Sequence, residues 1–198
     1  AWTSKVLLQA TEVDTKICST DSHEVKEICT NMGLDVPFIR PKELATDKAP
    51  VKDVIRHALD FYSKKGETFT HVLLLQATSP TVTKRDVEAA IDIGLATDAD
   101  TVISCYKLQN EHPSIMYYSD QNLLTPVDPM LQSLRRQEQP FVFVRTGLLY
   151  LFKVSPFLQT GEIMGDKIAY VEIEENRSIA IDDIDDWDRC EKYLKGSS

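Results

Sequence analysis

With 198 residues, 42% of them hydrophobic, the chain can bury one substantial core, and no stretch approaches the roughly 20 apolar residues that span a bilayer. Its 22 basic against 31 acidic residues leave a net charge of −9, which excludes a broad phosphate-backbone footprint for DNA or RNA and points away from nucleic acid and membrane partners. An anionic ligand would need a local basic pocket. Cys18, Cys29, Cys105 and Cys190 are scattered without a C-x-x-C pair, which speaks against a zinc site or a disulfide framework and for reduced thiols in the cytoplasm.

The chain opens at Ala1-Trp2-Thr3 with neither an initiator Met nor a basic, apolar leader, and the expectation is a fragment. Val6, Leu7 and Ala10 follow Trp2 in a helix-like segment. Residues 15–20 lean toward strand, and Asp21 with Glu24 three positions on marks a helix start. Val25, Ile28, Cys29 and Met32 then recur at helical spacing, with Gly33 where a left-handed cap belongs. Residues 34–39 read as a short strand ending in the Arg40-Pro41 loop. After Pro50, Val51, Val54, Ile55, Ala58, Leu59 and Tyr62 trace an amphipathic helix.

The unbroken apolar run at residues 72–75 predicts a parallel strand buried on both faces. It breaks off into Gln76, Thr78, Ser79 and Pro80, and Thr83-Lys84-Arg85-Asp86 opens the next helix. Residues 101–105 read as a further inner strand. Strands alternating with helices predict an α/β fold with parallel pairing and right-handed crossovers. From residue 106 to 152 the pattern changes to strands near Tyr117, at 141–144 and at 148–152 with no helix between them, which predicts an antiparallel extension. Residues 167–173 and 178–181 return as strands, and Trp187, Cys190 and Leu194 mark a closing helix.

Open α/β sheets place ligands at the carboxyl ends of their strands. Gln76, Thr78 and Ser79 therefore either hydrogen-bond a hydroxylated or carboxylated ligand or only build the turn and cap the helix. Asp21 reads first as an N-cap. Arg40 suits bidentate contact with a phosphate, against the plainer reading of a solvated loop charge. Arg135 and Arg136 together could form a local anion pocket. The acids at 182, 183, 185 and 186 end a strand. Asp183 and Asp185 fit helix capping and dipole complementation, while Asp182 stands as a candidate ligand for Mg²⁺. None of the four histidines shows ligand spacing.

Several of these pieces in order resemble the cytidylyltransferases that activate sialic acids, including their legionaminic and pseudaminic acid relatives. They are residues 18–21 (CSTD), 38–47 (FIRPKELATD), 73–80 (LLLQATSP), 136–150 (RQEQPFVFVRTGLLY) and 178–187 (SIAIDDIDDW). The resemblance implies one Rossmann-like nucleotidyltransferase domain over residues 1–198, with a mostly parallel sheet flanked by helices, lacking the family's N-terminal strand and phosphate loop. It also implies that residues 106–152 form a small antiparallel extension that makes a homodimer. The implied reaction is Mg²⁺-dependent: CTP and a nine-carbon keto-sugar acid give a CMP-sugar and pyrophosphate.

By the same resemblance, Arg40, Asp21 and Gln76 contact nucleotide. Gln76, Thr78, Ser79, Arg136 and Tyr150 hold the sugar acid, with Arg136 and Asp182 catalytic and Asp182 the metal ligand. The chain departs from the family pattern at Val82, Thr146 and Ala180, where an Arg, an Asn and a second acid are usual. A catalytically impaired paralogue that binds sugar acid or nucleotide is the alternative expectation.

Overall fold

A computed structural model describes residues 2–109 and 111–196. The amino-terminal third is helical: α1 (Trp2–Gln9), α2 (His23–Asn31) and α3 (Val51–Ser63). Ser22, not Asp21, caps α2, its hydroxyl accepting from the Val25 amide at 3.3 Å. The expected strands at 15–20 and 34–39 shrink to two parallel bridges, Ile17 with Asp35 and Thr20 with Ile39. They are parallel, but too short to make a ladder.

The central sheet takes β1 (His71–Leu75), β2 (Thr101–Lys107), β5 (Phe143–Lys153) and β6 (Ile168–Glu172) in the spatial order β1-β5-β2-β6. Three strands run one way, and β5 lies against them between β1 and β2. The 72–75 run is thus a strand as expected, but its neighbour in the sheet is antiparallel and it occupies the sheet's edge. Its side chains alternate in destination. Leu73 and Leu75 pack with the cluster around Val87, Ala90, Val102 and Leu148 on the side of α4 (Lys84–Ala96). Val72 and Leu74 pack with Ile55, Phe152 and Phe157 on the side of α3 and α6 (Val154–Thr160). Helices therefore pack on both faces, which explains why residues 72–75 are apolar without alternation, but the strand is half-buried along its length and not fully buried as expected, because it lies at the sheet's edge beside a cavity.

Helix α4 begins with the capping box read from sequence, Thr83 and Asp86 exchanging bonds. It then approaches the sheet so closely at Gly94 that a Cβ there would meet Leu151 Cδ2 at 2.7 Å. The stretch 106–152 divides in two. β3 (Tyr117–Asp120) and β4 (Leu123–Pro126) form a separate antiparallel hairpin, its turn made by Gln121 and Asn122 at positive φ. A short helix, α5 (Pro129–Ser133), follows where no helix was expected, started by Asp128, whose carboxylate accepts from the Met130 and Leu131 amides. After a 3₁₀ turn the stretch closes with β5, which belongs to the main sheet. Residues 178–181 form no strand; the Ile181 amide instead donates to the Thr78 carbonyl at 2.8 Å, and the last element among the described residues is α7 (Ile184–Gly196).

Candidate active site

Where β1 stops, the chain turns sharply: the Ser79 amide donates back to the Gln76 carbonyl at 3.1 Å. The two hydroxyls beyond Gln76 part company. Ser79 is fully buried and its Oγ donates to the Gly147 carbonyl at 3.4 Å, tying the turn to β5. Thr78 is exposed and lines a cavity.

That cavity, about 960 Å³, runs along β1 and is bounded opposite by residues 17–20 and by α1 and α3. Ser19, Thr20, Arg40, Gln76 and Thr78 contribute its polar wall. Arg40 is held by its own amide, which donates to the Thr20 carbonyl at 2.8 Å, and its guanidinium meets the Asp21 carboxylate at 3.3 Å. Asp21, released from capping, thus orients a cation. Arg40 Nε and Ser19 Oγ are buried without a hydrogen-bond partner, so this wall has a donor and a hydroxyl to offer a polar ligand. Cys18 lies beside them, but burial and its contact with Cys29 push its thiol up to about 11, so it is not a nucleophile at neutral pH.

A second cavity of about 410 Å³ adjoins the first, and Gln76 and Leu74 line both. Its other polar residues are Arg145, Tyr150, Lys52 and Glu162, the last two joined in an ion pair at 2.6 Å. Arg145 and Tyr150 meet here because β5 bulges. Tyr150 pairs with Ile103 and Arg145 with Cys105, so residues 146–149 have only Ser104 opposite them. Gly147 turns the bulge at φ +74°, and Thr146 faces inward, its hydroxyl 2.7 Å from the Ser104 hydroxyl. Arg145 escaped the sequence reading. Its signal was the glycine inside a strand-like run, which marks such bulges.

Four expected residues line neither cavity: Ser79 and Asp21, placed above, and Arg136 and Asp182. Arg136 sits in a short 3₁₀ turn, residues Arg136–Glu138, beyond the hairpin and lines neither cavity. Asp182 is exposed and follows Ile181, whose bond to Thr78 places it beside the Gln76 turn. Of its neighbours, Asp183 accepts the Asp186 amide at 2.9 Å, and Asp186 accepts the Asp182 amide at 3.3 Å and pairs with Arg189. Both serve the start of α7. Ala180 offers only a methyl. Among the described residues no group of three or more histidine, cysteine or acidic side chains could hold a metal. Asp182 therefore fits a hard cation only as a single carboxylate, with waters and ligand oxygens completing the shell, a donor set that Mg²⁺ accepts.

A family model described as Cytidylyltransferase matches residues 1–191. The N-acylneuraminate cytidylyltransferase of Streptococcus agalactiae serotype V is 26% identical over 170 residues, covering 85% of this chain and 40% of that protein. The chain thus spans less than half the length of that relative. A pseudaminic acid cytidylyltransferase of Campylobacter jejuni is 21% identical, with 87% and 75% covered. The CMP-N,N'-diacetyllegionaminic acid synthase of Legionella pneumophila is 26% identical over 201 residues, with 98% and 84% covered. Among solved structures, CMP:2-keto-3-deoxy-manno-octonic acid synthetase complexed with CTP superposes with a TM-score of 0.69 at 15% identity, covering all of this chain and 87% of that one. That likeness is one of fold, and it agrees with the mixed sheet flanked by helices. On the family match over nearly its whole length, this chain belongs to the cytidylyltransferases.

Proposed function

We propose that this chain transfers a cytidylyl group from CTP to a keto-sugar acid of the sialic-acid type. The observation that carries the reading is Gln76, which stands on the wall shared by two adjoining cavities. One offers Arg40, which Asp21 pairs with from outside the lining, and unpartnered polar atoms to a nucleotide. The other offers Arg145 and Tyr150 to a hydroxylated acid. The relatives' names give the substrate class.

In the reaction, an anomeric oxygen forms a bond to the α-phosphorus as the bond from that phosphorus to the β-phosphate's bridging oxygen breaks. Pyrophosphate leaves and the hydroxyl proton is released. Little covalent work falls to the protein; alignment and charge neutralisation dominate. Gln76 and Thr78 orient the two substrates against each other, Arg40 holds negative charge, and Arg145 holds the acid. Asp182 would hold Mg²⁺, which when bound would neutralise charge on the triphosphate.

The exposed hairpin supports a homodimer. Tyr118, Leu123, Leu124 and Met130 are 64–76% exposed on β3, β4 and α5, and a second copy covering them would carry Arg136 toward the partner's cavity. No helix among the described residues is long and apolar enough to cross a membrane, and four free thiols suit a cytoplasmic enzyme.

The test is incubation with CTP, Mg²⁺ and a panel of N-acetylneuraminic, legionaminic, pseudaminic and 3-deoxy-manno-octulosonic acids, with CMP-sugar read by mass. Product with one of them is expected, and no product with any overturns transfer. Ala180 favours one second reading, a paralogue that binds without turnover. Calorimetric binding of CTP or sugar acid without product would establish it.

A further inference from the structure

We infer that Arg177 and Asp86 form a positioning pair that holds Asp182 in register against the Gln76 turn. The inference rests on the proposed reaction for its functional meaning. Both side chains are buried, 12% and 6% exposed, and they meet as a fork: Nη1 to Oδ2 and Nη2 to Oδ1, each at 2.6 Å. Burial by itself pushes the Asp86 carboxyl up. The bonds from Arg177 and Thr83 outweigh it and hold the group below its ordinary value.

The start of α4 does not need Arg177. Asp86 Oδ2 already accepts from the Thr83 amide and hydroxyl, each at 2.8 Å, and the Thr83 hydroxyl accepts the Asp86 amide at 3.3 Å. The capping box is complete without a guanidinium. Nor does a buried ion pair do much for stability that a well-packed apolar pair would not, since desolvation offsets most of the attraction. What the pair does uniquely is connect distant chain. Arg177 also reaches toward the Thr81 carbonyl at 3.5 Å, and four residues later the Ile181 amide donates to the Thr78 carbonyl. Residues 177–181, which form no strand, are thus fixed at both ends to the loop that follows Gln76. Asp182 is the next residue. Its place relative to that turn is set by these two attachments, with its own amide tied to Asp186 at the start of α7, rather than by a sheet ladder.

Two variants test this. Arg177→Gln leaves a buried carboxylate without its cation and is apt to lose stability, so the double variant Arg177→Met with Asp86→Asn removes both charges and keeps the cap. For the double variant we expect a thermal midpoint near the parent's and Ile181 amide exchange at least tenfold faster, with exchange inside α7 unchanged. We expect the Mg²⁺ concentration for half-maximal rate to rise at least fivefold, while KM for CTP at saturating Mg²⁺ moves little. On an Asp182→Asn background the same double change should cost no further activity. Unchanged Ile181 exchange, or a full additional loss on that background, overturns the inference. An inactive parent chain whose Ile181 exchange still responds would overturn the proposed reaction instead and leave the attachment standing.

Discussion

The Arg145 guanidinium lies 5.9 Å from the centroid of the Tyr150 ring, although a regular strand would send two residues at that spacing to opposite faces of the sheet. The bulge at Gly147 brings them to one side, and both open onto the smaller cavity beside Gln76. On the proposed reading, a cation beside a phenol, in a cavity that also holds Gln76 and the Lys52–Glu162 ion pair, receives a carboxylate that also carries hydroxyls.

Arg145→Ala should therefore raise KM for the sugar acid by about 10- to 100-fold, the worth of one hydrogen bond to a charged group, while KM for CTP changes little. Arg145→Lys should recover only part of the loss, because an ammonium lacks the planar fork. Steady-state kinetics with each substrate varied in turn checks both.

Gly147→Ala probes the bulge itself. The added Cβ would touch only the Tyr150 hydroxyl, at an ordinary 3.8 Å, so the cost comes from the backbone at φ +74°. About 1–2 kcal/mol is expected for a left-handed alanine, a fall of several degrees in Tm for a chain of this size. Calorimetry reads it.

His71 sets a pH dependence. Burial, helped by the nearby Lys153 charge, lowers its pKa below the ordinary 6.5. The unfolded chain therefore takes up the proton first, and stability present above pH 6.5 is lost as pH falls toward the folded value. His71→Gln should flatten the decline of unfolding free energy between pH 7 and 5. Denaturant titrations across that range, compared with the parent, check it.

Leu124→Glu tests the hairpin as an interface. Light scattering should find the parent at twice the chain mass and the variant at the chain mass, with far-ultraviolet circular dichroism unchanged. A variant that keeps the doubled mass would remove β4 from the contact.

What sequence could reveal followed from how local each feature is. The apolar run of β1, the Thr83–Asp86 cap and the amphipathic face of α3 depend on neighbours a few residues away, and each lies where the pattern put it. The place of β5 does not. Nothing within residues 143–153 announces that they sit between β1 and β2, because pairing partners in two strands far upstream, residues 71–75 and 101–107, decide it. The same holds for Ser79, whose inward turn depends on the Gly147 carbonyl, and for residues 178–181, where the Ile181 amide goes to the Thr78 carbonyl and those of Ser178 and Ile179 to carbonyls just upstream instead of to a ladder. Asp21 was legible as polar at a helix start, but the adjacent Ser22 took the cap and left it to Arg40.

The position of β5 also fixes the order in which the molecule comes apart. It is the longest strand and is bonded along both flanks, whereas β1 is bonded along one. Thermal fluctuations should peel the edge strands β1 and β6 away first, β1 carrying the Gln76 turn with it, while the β5–β2 ladder persists until global unfolding. The rim that carries Gln76 is thus among the first parts of the fold to loosen, and ligands gripping it would act as a clasp on the whole sheet.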